Sequence, residues 1–158
     1  MSLRILVTGS RDFPLPLLVG LALAQVGRAH LADGRQVVVV HGGCPHGYRD
    51  DGSRRYSVDM LAQEWAEMHS AAVRAEVYPA EWDRYGRSAG FRRNLAMVAL
   101  GADLTLAFIA NASKGATHCA EAAERAGIPV LRLRVDGPVG VLAPVVGTAD
   151  SQPGGAHG

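Results

Sequence analysis

Short apolar runs rich in β-branched residues alternate with alanine-rich stretches of helical length along most of the sequence. The runs, each expected to be a strand buried on both faces, cover residues 3–8, 36–41, 72–78, 102–109 and 128–135. The stretches between them predict helices over residues 15–32, 58–70, 88–100 and 116–126. Because the connections are short, this order predicts right-handed βαβ crossovers. We therefore predict an α/β fold: a single three-layer domain with a mostly parallel sheet of about five strands.

The chain has 158 residues, which is the size of one domain. Sixteen Lys and Arg against fifteen Asp and Glu leave a formal charge of +1. The chain therefore lacks the overall basic field of a non-specific nucleic-acid binder, and any anion site must be local. Two cysteines, no leader pattern and no apolar run approaching about 18 residues predict a cytoplasmic protein without a membrane span.

Two segments depart from the alternating pattern. Residues 136–158 are rich in Gly and Pro and are predicted to be a largely disordered tail after a domain of residues 1–135. Residues 44–57 separate the second strand from its helix. This loop is longer than the two to six residues that are usual there. Long loops at strand ends often carry function, and the sequence does not indicate which role this one has.

Glycine-containing loops follow four of the predicted strands, in residues 9–14, 41–47, 82–94 and 111–117, and all but the second also pair a hydroxyl with a cation. The carboxyl ends of parallel strands meet at one edge of a sheet, where ligands of such folds bind. Glycine lets backbone amides approach an anion, and a hydroxyl or a helix N-terminus adds donors. The positive charges at this edge come from Arg11, Arg87, Arg92, Arg93 and Lys114. This combination favours a phosphate site.

Arg92 and Arg93 lie in the first turn of a predicted helix that has no acidic residue there. The helix dipole disfavours a cation at this end by a few tenths to about 1 kcal/mol, so a bound anion would explain the pair. On the same helix Phe91, Leu95 and Val98 form the predicted core-facing stripe, with Arg93 roughly opposite.

Ordinary structural roles are the alternatives at each position. Gly9 and Ser10 fit a turn and a helix cap, and either arginine of the pair fits a solvated face. The turn at residues 113–115 fits an exposed loop. Trp82 and Tyr85 fit the core or the rim of a pocket, although they are our candidates for stacking on a ligand ring.

A zinc site is an alternative for four residues near the same edge. They are Cys44, His46, His118 and Cys119. Neither C-P-H nor H-C has the usual spacing of zinc ligands, so we predict no metal and interpret the four as buried thiols and loop histidines.

The chain carries, in order, the motifs L-V-T-G-S-R-D-F, V-V-H-G-G-C-P-H-G, Y-P-A-E-W-D-R-Y-G-R-S-A-G-F-R-R-N-L-A-M-V, A-D-L-T-L-A-F, S-K-G-A-T-H-C and A-G-I-P-V. They resemble the SLOG superfamily, and within it the YspA branch, the YpsA-related SLOG family of actinobacteria and their phages. The resemblance covers residues 4–130. It implies a Rossmann-like fold and a pocket for a nucleotide or nucleotide-derived ligand, no required cofactor, and often a homodimer.

The resemblance also assigns ligand contacts. They fall on Gly9, Ser10, Arg11, Gly42, Gly43, Arg93, Asn94, Ser113, Lys114, Gly115 and Thr117, to which the strand-end loops add Arg87 and Ser88. Asp59 resembles an acid that follows the G-G-C-P-x-G turn almost at once in relatives. Here residues 48–58 intervene, so either Asp59 is displaced or the loop bulges outward.

The LOG-type phosphoribohydrolases of the same superfamily cleave the N-glycosidic bond of nucleotides with an arginine and a glutamate in P-G-G-x-G-T-x-x-E. In this chain Glu121 follows Gly115 by six residues instead of four. Two helical positions are a rotation of about 200°, which places Glu121 on nearly the opposite face. Glu121 and Asp59 are nevertheless the catalytic candidates.

Three functions follow as hypotheses. The first is a cytoplasmic domain that senses or sequesters a phosphorylated nucleotide, for example in conflict between phage and host. The second is a nucleotide hydrolase of the N-glycosidase type in which an acid such as Asp12, Asp59, Glu64 or Glu121 acts. The third is single-stranded DNA binding like that of the DprA family, which near-zero net charge and few aromatic residues disfavour.

Overall fold

The computed structural model describes residues 1–136. The elements follow in chain order: β1 (Leu3–Gly9), α1 (Pro16–Ala32), β2 (Val37–His41), β3 (Gly47–Tyr48), β4 (Arg54–Arg55), α2 (Val58–Met68), β5 (Val73–Val77), α3 (Trp82–Tyr85), a 3-10 turn (Gly86–Ser88), α4 (Ala89–Ala99), β6 (Leu104–Ala110), α5 (Lys114–Arg125) and β7 (Val130–Val135). The tail predicted from residue 136 onward lies outside the described residues except for Asp136.

The main sheet has five strands in the order β5-β2-β1-β6-β7, and every neighbouring pair is parallel. The chain runs outward from β1 through β2 to β5, and then returns to the other side of β1 to form β6. The strand order therefore reverses between β1 and β6, which is the point where an open α/β sheet leaves a crevice. The five predicted strands and the three-layer α/β fold are confirmed.

Alternate residues of the central strands face different helix layers. Ile5 packs with Leu23 of α1 and Trp65 of α2. Its neighbour Leu6 packs with Met97 of α4 and with residues of α5 on the opposite side. This alternation is the two-residue period of a strand that is buried on both faces. The helices α1 and α2 thus cover one face of the sheet, and α4 and α5 cover the other.

The predicted apolar stripe of α4 is wrong at two of its three positions. Val98 is buried, but Phe91 and Leu95 are 43% and 49% exposed. The helix instead buries Asn94, whose amide Nδ2 donates to the carbonyl oxygen of Gly115. A buried side-chain amide must keep its hydrogen bonds, and this requirement sets the rotation of the helix.

The long loop between β2 and α2 contains a small antiparallel ribbon, which we call the β3–β4 ribbon, instead of being irregular throughout. Tyr48 pairs with Arg54 across the two strands. The connection closes through a hydrogen bond of 2.8 Å from the Arg49 amide to the Ser53 carbonyl oxygen. Gly52 has φ of 82°, a left-handed conformation that glycine adopts without strain.

Ser10 joins the ends of the two strands that flank the switch point. Its amide donates to the carbonyl oxygen of Phe108 at 3.0 Å, and its hydroxyl oxygen accepts from the amide of Ala110 at 2.9 Å. Its own carbonyl oxygen accepts from the amide of Val58 at the start of α2. Ser10 is only 6% exposed, so these bonds are made away from water. One residue therefore fixes β1, β6 and α2 relative to one another.

We predict that Ser10→Ala lowers the free energy of unfolding by about 1–3 kcal/mol, because the buried amide of Ala110 loses its acceptor. Urea denaturation measures the change. Ser70→Ala, at an exposed position, is the control. A Ser10→Ala protein as stable as the control would contradict this role for Ser10.

Candidate functional site

A crevice of about 1000 Å³ opens at the carboxyl ends of the sheet strands. The loops after β1, β2, β5 and β6 all contribute to its walls. Of the predicted ligand contacts, the lining includes Gly9, Ser10, Arg11, Gly42, Gly43, Arg87, Arg93, Asn94, Ser113 and Gly115, together with the catalytic candidate Asp59. The volume is at the upper end of the range for small-molecule sites.

Four predicted residues do not line this crevice. The Ser88 hydroxyl donates to the carbonyl oxygen of Tyr85. The Thr117 hydroxyl donates to the carbonyl oxygen of Ser113, one turn earlier. Lys114 and Glu121 are exposed outside the lining. Glu64 lies outside it as well, bonded to His46.

Neighbouring protein atoms explain three of the crevice glycines. A Cβ on Gly9 would lie 2.4 Å from a methyl group of Val58, and one on Gly42 would lie 1.9 Å from the Arg93 guanidinium. Gly43 has φ of 70°, which favours glycine. Gly9 and Gly43 are therefore required by the fold whether or not a ligand binds, whereas Gly42 leaves room for the Arg93 guanidinium.

Gly115 has no such explanation. It is in the first turn of α5, and a Cβ built on it would meet no atom within 4 Å. Glycine inside a helix costs up to about 1 kcal/mol relative to alanine. Because its open side belongs to the crevice lining, an incoming ligand that needs close approach to the backbone would account for it.

The N-terminus of α5 is open for an anion. Ser113 makes no side-chain cap, and the first turn has no acidic residue. The first amides of a helix have no partner within the helix and carry its positive dipole end. The preceding Asn111 and Ala112 have φ of 48° and 55°, a left-handed conformation that Asn tolerates and that is costly for Ala. Such strain concentrates at functional sites.

The crevice arginines divide into committed and uncommitted side chains. Arg93 donates through Nη1 to the carbonyl oxygens of Gly42 and Tyr78, at 2.7 and 3.3 Å. Arg11 lies over the ring of Trp82, 5.4 Å from its centre. Within residues 1–136, Arg11 and Arg87 form no ion pair, and Arg87 is exposed.

The arginine pair at the start of α4 is thus satisfied in large part by the protein itself. Arg92 lies 4.5 Å from the ring centre of Tyr85 and donates to the Ser88 hydroxyl. Arg93 lies half-buried instead of opposite the core, and its Nε donates to Asn94 Oδ1 at 2.9 Å. Its Nη2 has no hydrogen-bond partner among the described residues, so part of its charge remains available to a ligand.

Asp59 lies at the crevice although the ribbon separates it from the glycine turn along the chain. It is 6% exposed, and its Oδ2 accepts from the Cys44 amide at 3.0 Å. The loop therefore bulges outward and leaves the carboxyl in place. Burial raises the pKa of Asp59 above its ordinary value of 3.8, and the Cys44 amide and the Arg93 charge only partly oppose that shift.

The buried His41 is hydrogen-bonded to the turn at Gly42 and Gly43. Its Nδ1 accepts from the Gly43 amide at 3.1 Å, so Nε2 carries the proton and donates to Gln63 Oε1 at 2.8 Å. Sequence reasoning assigned no role to His41, because a histidine at the end of an apolar strand gives no local signal of its partner on a later helix.

The residues considered for zinc serve other contacts. His46 bonds to Glu64 and Ser57, and His118 lies edge-on to Phe91. Cys119 belongs to the buried face of α5. Across residues 1–136 no group of three His, Cys, Asp or Glu side chains is arranged to hold a metal ion.

The two aromatic candidates for ring stacking separate. Trp82 lines the crevice and is 48% exposed. Tyr85 lies outside that lining, between the guanidinium groups of Arg84 and Arg92. Trp82 is therefore the one of the two that borders the crevice, with Arg11 over its ring.

Sequence reasoning missed the ribbon and the arginine that it brings to the crevice, Arg55. The available signal was Asp51-Gly52 between two short runs, a pair of residues typical of hairpin turns. The contact of Arg49 with Asp12 had no such signal, since it joins residues 37 positions apart.

Comparison with known proteins identifies a phage relative. The Gene 61 protein of Mycobacterium phage D29 is 36% identical over 132 residues, which cover 81% of this chain and 94% of the relative. No family model matches the chain. No solved structure matches it either. The chain belongs to the family of this phage protein, whose name states no ligand or reaction.

No helix within residues 1–136 is long and apolar enough to cross a membrane.

We predict that Asp59→Asn becomes more stable relative to the parent protein as the pH rises above about 4. The raised pKa means that folded Asp59 holds its proton where the unfolded chain has lost it, so the parent loses stability as the pH rises through this window. Asn does not titrate. Urea denaturation at several pH values measures the difference, with exposed Asp50→Asn as control. If the stability of Asp59→Asn relative to the parent fell as the pH rose, the charge of Arg93 would have a larger effect on the pKa of Asp59 than burial has.

Proposed function

We propose that this chain, a member of the family of the phage Gene 61 protein, binds a phosphorylated nucleotide or nucleotide-derived ligand at the carboxyl edge of its sheet. The observation that carries the proposal is the open N-terminus of α5 at Gly115, which shares a crevice with the unpaired Arg11 and Arg87. Free helix amides, a glycine without a steric need and cations without acids together favour an anion.

A phosphate is the anion that fits this arrangement best. The helix end contributes about 0.3–1 kcal/mol to an anion, and each charge-assisted hydrogen bond about 1.5–3 kcal/mol. Arg87 is exposed and makes no contact that binding would have to break.

The nucleotide part of the proposal rests on Trp82 and on the resemblance to SLOG proteins. The half-exposed ring of Trp82 lies at the crevice beside Arg11. An aromatic ring next to a cation is a platform for a nucleobase. We propose that the chain senses or sequesters its ligand in the cytoplasm and that it acts as a homodimer. The exposed Phe91 and Leu95 on α4 are a candidate surface for the dimer, which sedimentation of the purified protein tests.

A nucleotide hydrolase is the second candidate, and Asp59 is the observation that favours it. A buried carboxyl with a raised pKa beside a cationic crevice has the features of a general acid or base. Release of free base or ribose phosphate from nucleoside 5′-phosphates, lost in Asp59→Asn, would support this candidate. Intact nucleotides recovered from a protein that binds them would favour binding alone.

We predict that Gly115→Ala stabilises the protein and weakens its affinity for nucleotides. Alanine raises helix propensity by up to about 1 kcal/mol, while its methyl group enters the space that the ligand needs. Urea denaturation and calorimetric titration with the four nucleoside 5′-monophosphates measure the two effects. Stabilisation with unchanged affinity would contradict a ligand at this helix end.

We predict that Arg87→Ala lowers affinity for the same monophosphates about tenfold or more, because a charge-assisted bond is lost. Stability should not change, since Arg87 touches no partner among the described residues. Arg28→Ala, an exposed position on α1 outside the crevice, removes the same charge and is the control. Equal affinity losses in both variants would mean that the protein's overall charge, and not a contact of Arg87 with the ligand, explains the effect.

A further inference from the structure

The β3–β4 ribbon and the turn that closes it carry three arginines in three different environments. Arg49 forms a two-pronged contact with Asp12, at 2.5 and 3.0 Å. Arg54 lies over the ring of Tyr56, 5.7 Å from its centre. Arg55 has no acidic partner among residues 1–136 and lines the crevice. Of the three side chains, Arg55 alone brings its charge to the crevice lining.

The ribbon is held in place, so Arg55 has a defined position. The Arg49 contact fastens the ribbon to the loop between β1 and α1, and a second bond joins Arg49 to the Arg54 carbonyl oxygen at 3.0 Å. At the base of the ribbon His46 accepts from the Ser57 amide through Nδ1, and its Nε2 bonds to a carboxylate oxygen of Glu64. Two separate anchors fix the backbone that carries Arg55, so ligand binding would not have to order the ribbon.

Gly47 leaves room for the Arg55 side chain. The two residues are directly paired across the ribbon. A Cβ on Gly47 would lie 3.4 Å from Nε and 3.5 Å from Nη2 of Arg55. The guanidinium thus extends over the glycine, and both residues belong to the crevice lining.

Arg55 approaches the crevice from the side opposite to Arg87 and Gly115. The ribbon leads into α2, which covers the same face of the sheet as α1. Arg87 and Gly115 belong to the segments leading into α4 and starting α5, which cover the other face. The crevice therefore has a cationic group on each wall.

We propose that Arg55 is a specificity-determining residue that contacts a second anionic group of the ligand, so that the crevice prefers nucleotides with more than one phosphate. This inference rests on the proposed function, because it assumes that a first phosphate binds at the α5 N-terminus. The second phosphate then lies between that helix end and the ribbon. A monophosphate leaves the Arg55 charge without a partner in the crevice.

The neighbouring arginine provides a matched control. Arg54 and Arg55 are consecutive strand residues, so their side chains point to opposite faces of the ribbon. Arg54→Ala and Arg55→Ala remove the same charge from the same strand. The Arg54 carbonyl oxygen, which accepts from Arg49, is kept in both variants.

The experiment titrates the parent, Arg55→Ala and Arg54→Ala proteins with the four nucleoside 5′-monophosphates and the four 5′-triphosphates. For the best-bound base we expect the parent to prefer the triphosphate. Arg55→Ala should lose about tenfold or more of triphosphate affinity, with monophosphate affinity nearly unchanged. Arg54→Ala should bind both as the parent does.

The outcomes distinguish a failure of the Arg55 proposal from a failure of the proposed nucleotide binding. Monophosphate binding that depends on Arg87, with a triphosphate preference that is absent or insensitive to Arg55→Ala, would overturn the role of Arg55 and leave the proposed function standing. Equal losses in Arg54→Ala and Arg55→Ala would also overturn it, because general charge would then explain them. No binding of any nucleotide by the parent would overturn both.

Discussion

The hydrogen bonds of Ser10 across the switch point are the constraint on which the site depends. They hold the ends of β1 and β6 together, and the Ser10 carbonyl oxygen positions the start of α2. Parallel strands then deliver their carboxyl ends to one edge, and the loops between them form a single crevice. Arg11 and Gly115 are far apart in the sequence. Both line one crevice because each follows a strand that ends at this edge of the sheet.

The arginines at this edge differ in whether an acid neutralises them. Asp12 is neutralised by Arg49, and Arg93 is held by backbone carbonyl oxygens. Arg11 and Arg87 remain without an acid within residues 1–136. Backbone oxygens orient a guanidinium without cancelling its full charge, so a committed arginine such as Arg93 still contributes to the positive field that an anion meets.

The fold and the position of the crevice could be predicted from the sequence, because strand periodicity and topology decide both. The side-chain contacts could not, since they depend on partners that are distant in the chain. The sequence does not show that the Ser10 hydroxyl oxygen accepts from the Ala110 amide. Phe91 was predicted to face the core, but the amide of Asn94 takes the buried side of α4. The contact of Gly9 with Val58 gives no sequence signal.

The central claim, that the crevice holds a phosphorylated nucleotide, is tested most directly by incubating the purified protein with a bacterial small-molecule extract and washing it. Mass spectrometry then identifies what denaturation releases. An Arg11→Ala, Arg87→Ala double variant is processed in parallel, since neither side chain makes an ion pair within residues 1–136. The account predicts a nucleotide-like mass that is released by the parent protein and depleted in the variant. Identical small-molecule profiles from the two proteins would contradict it.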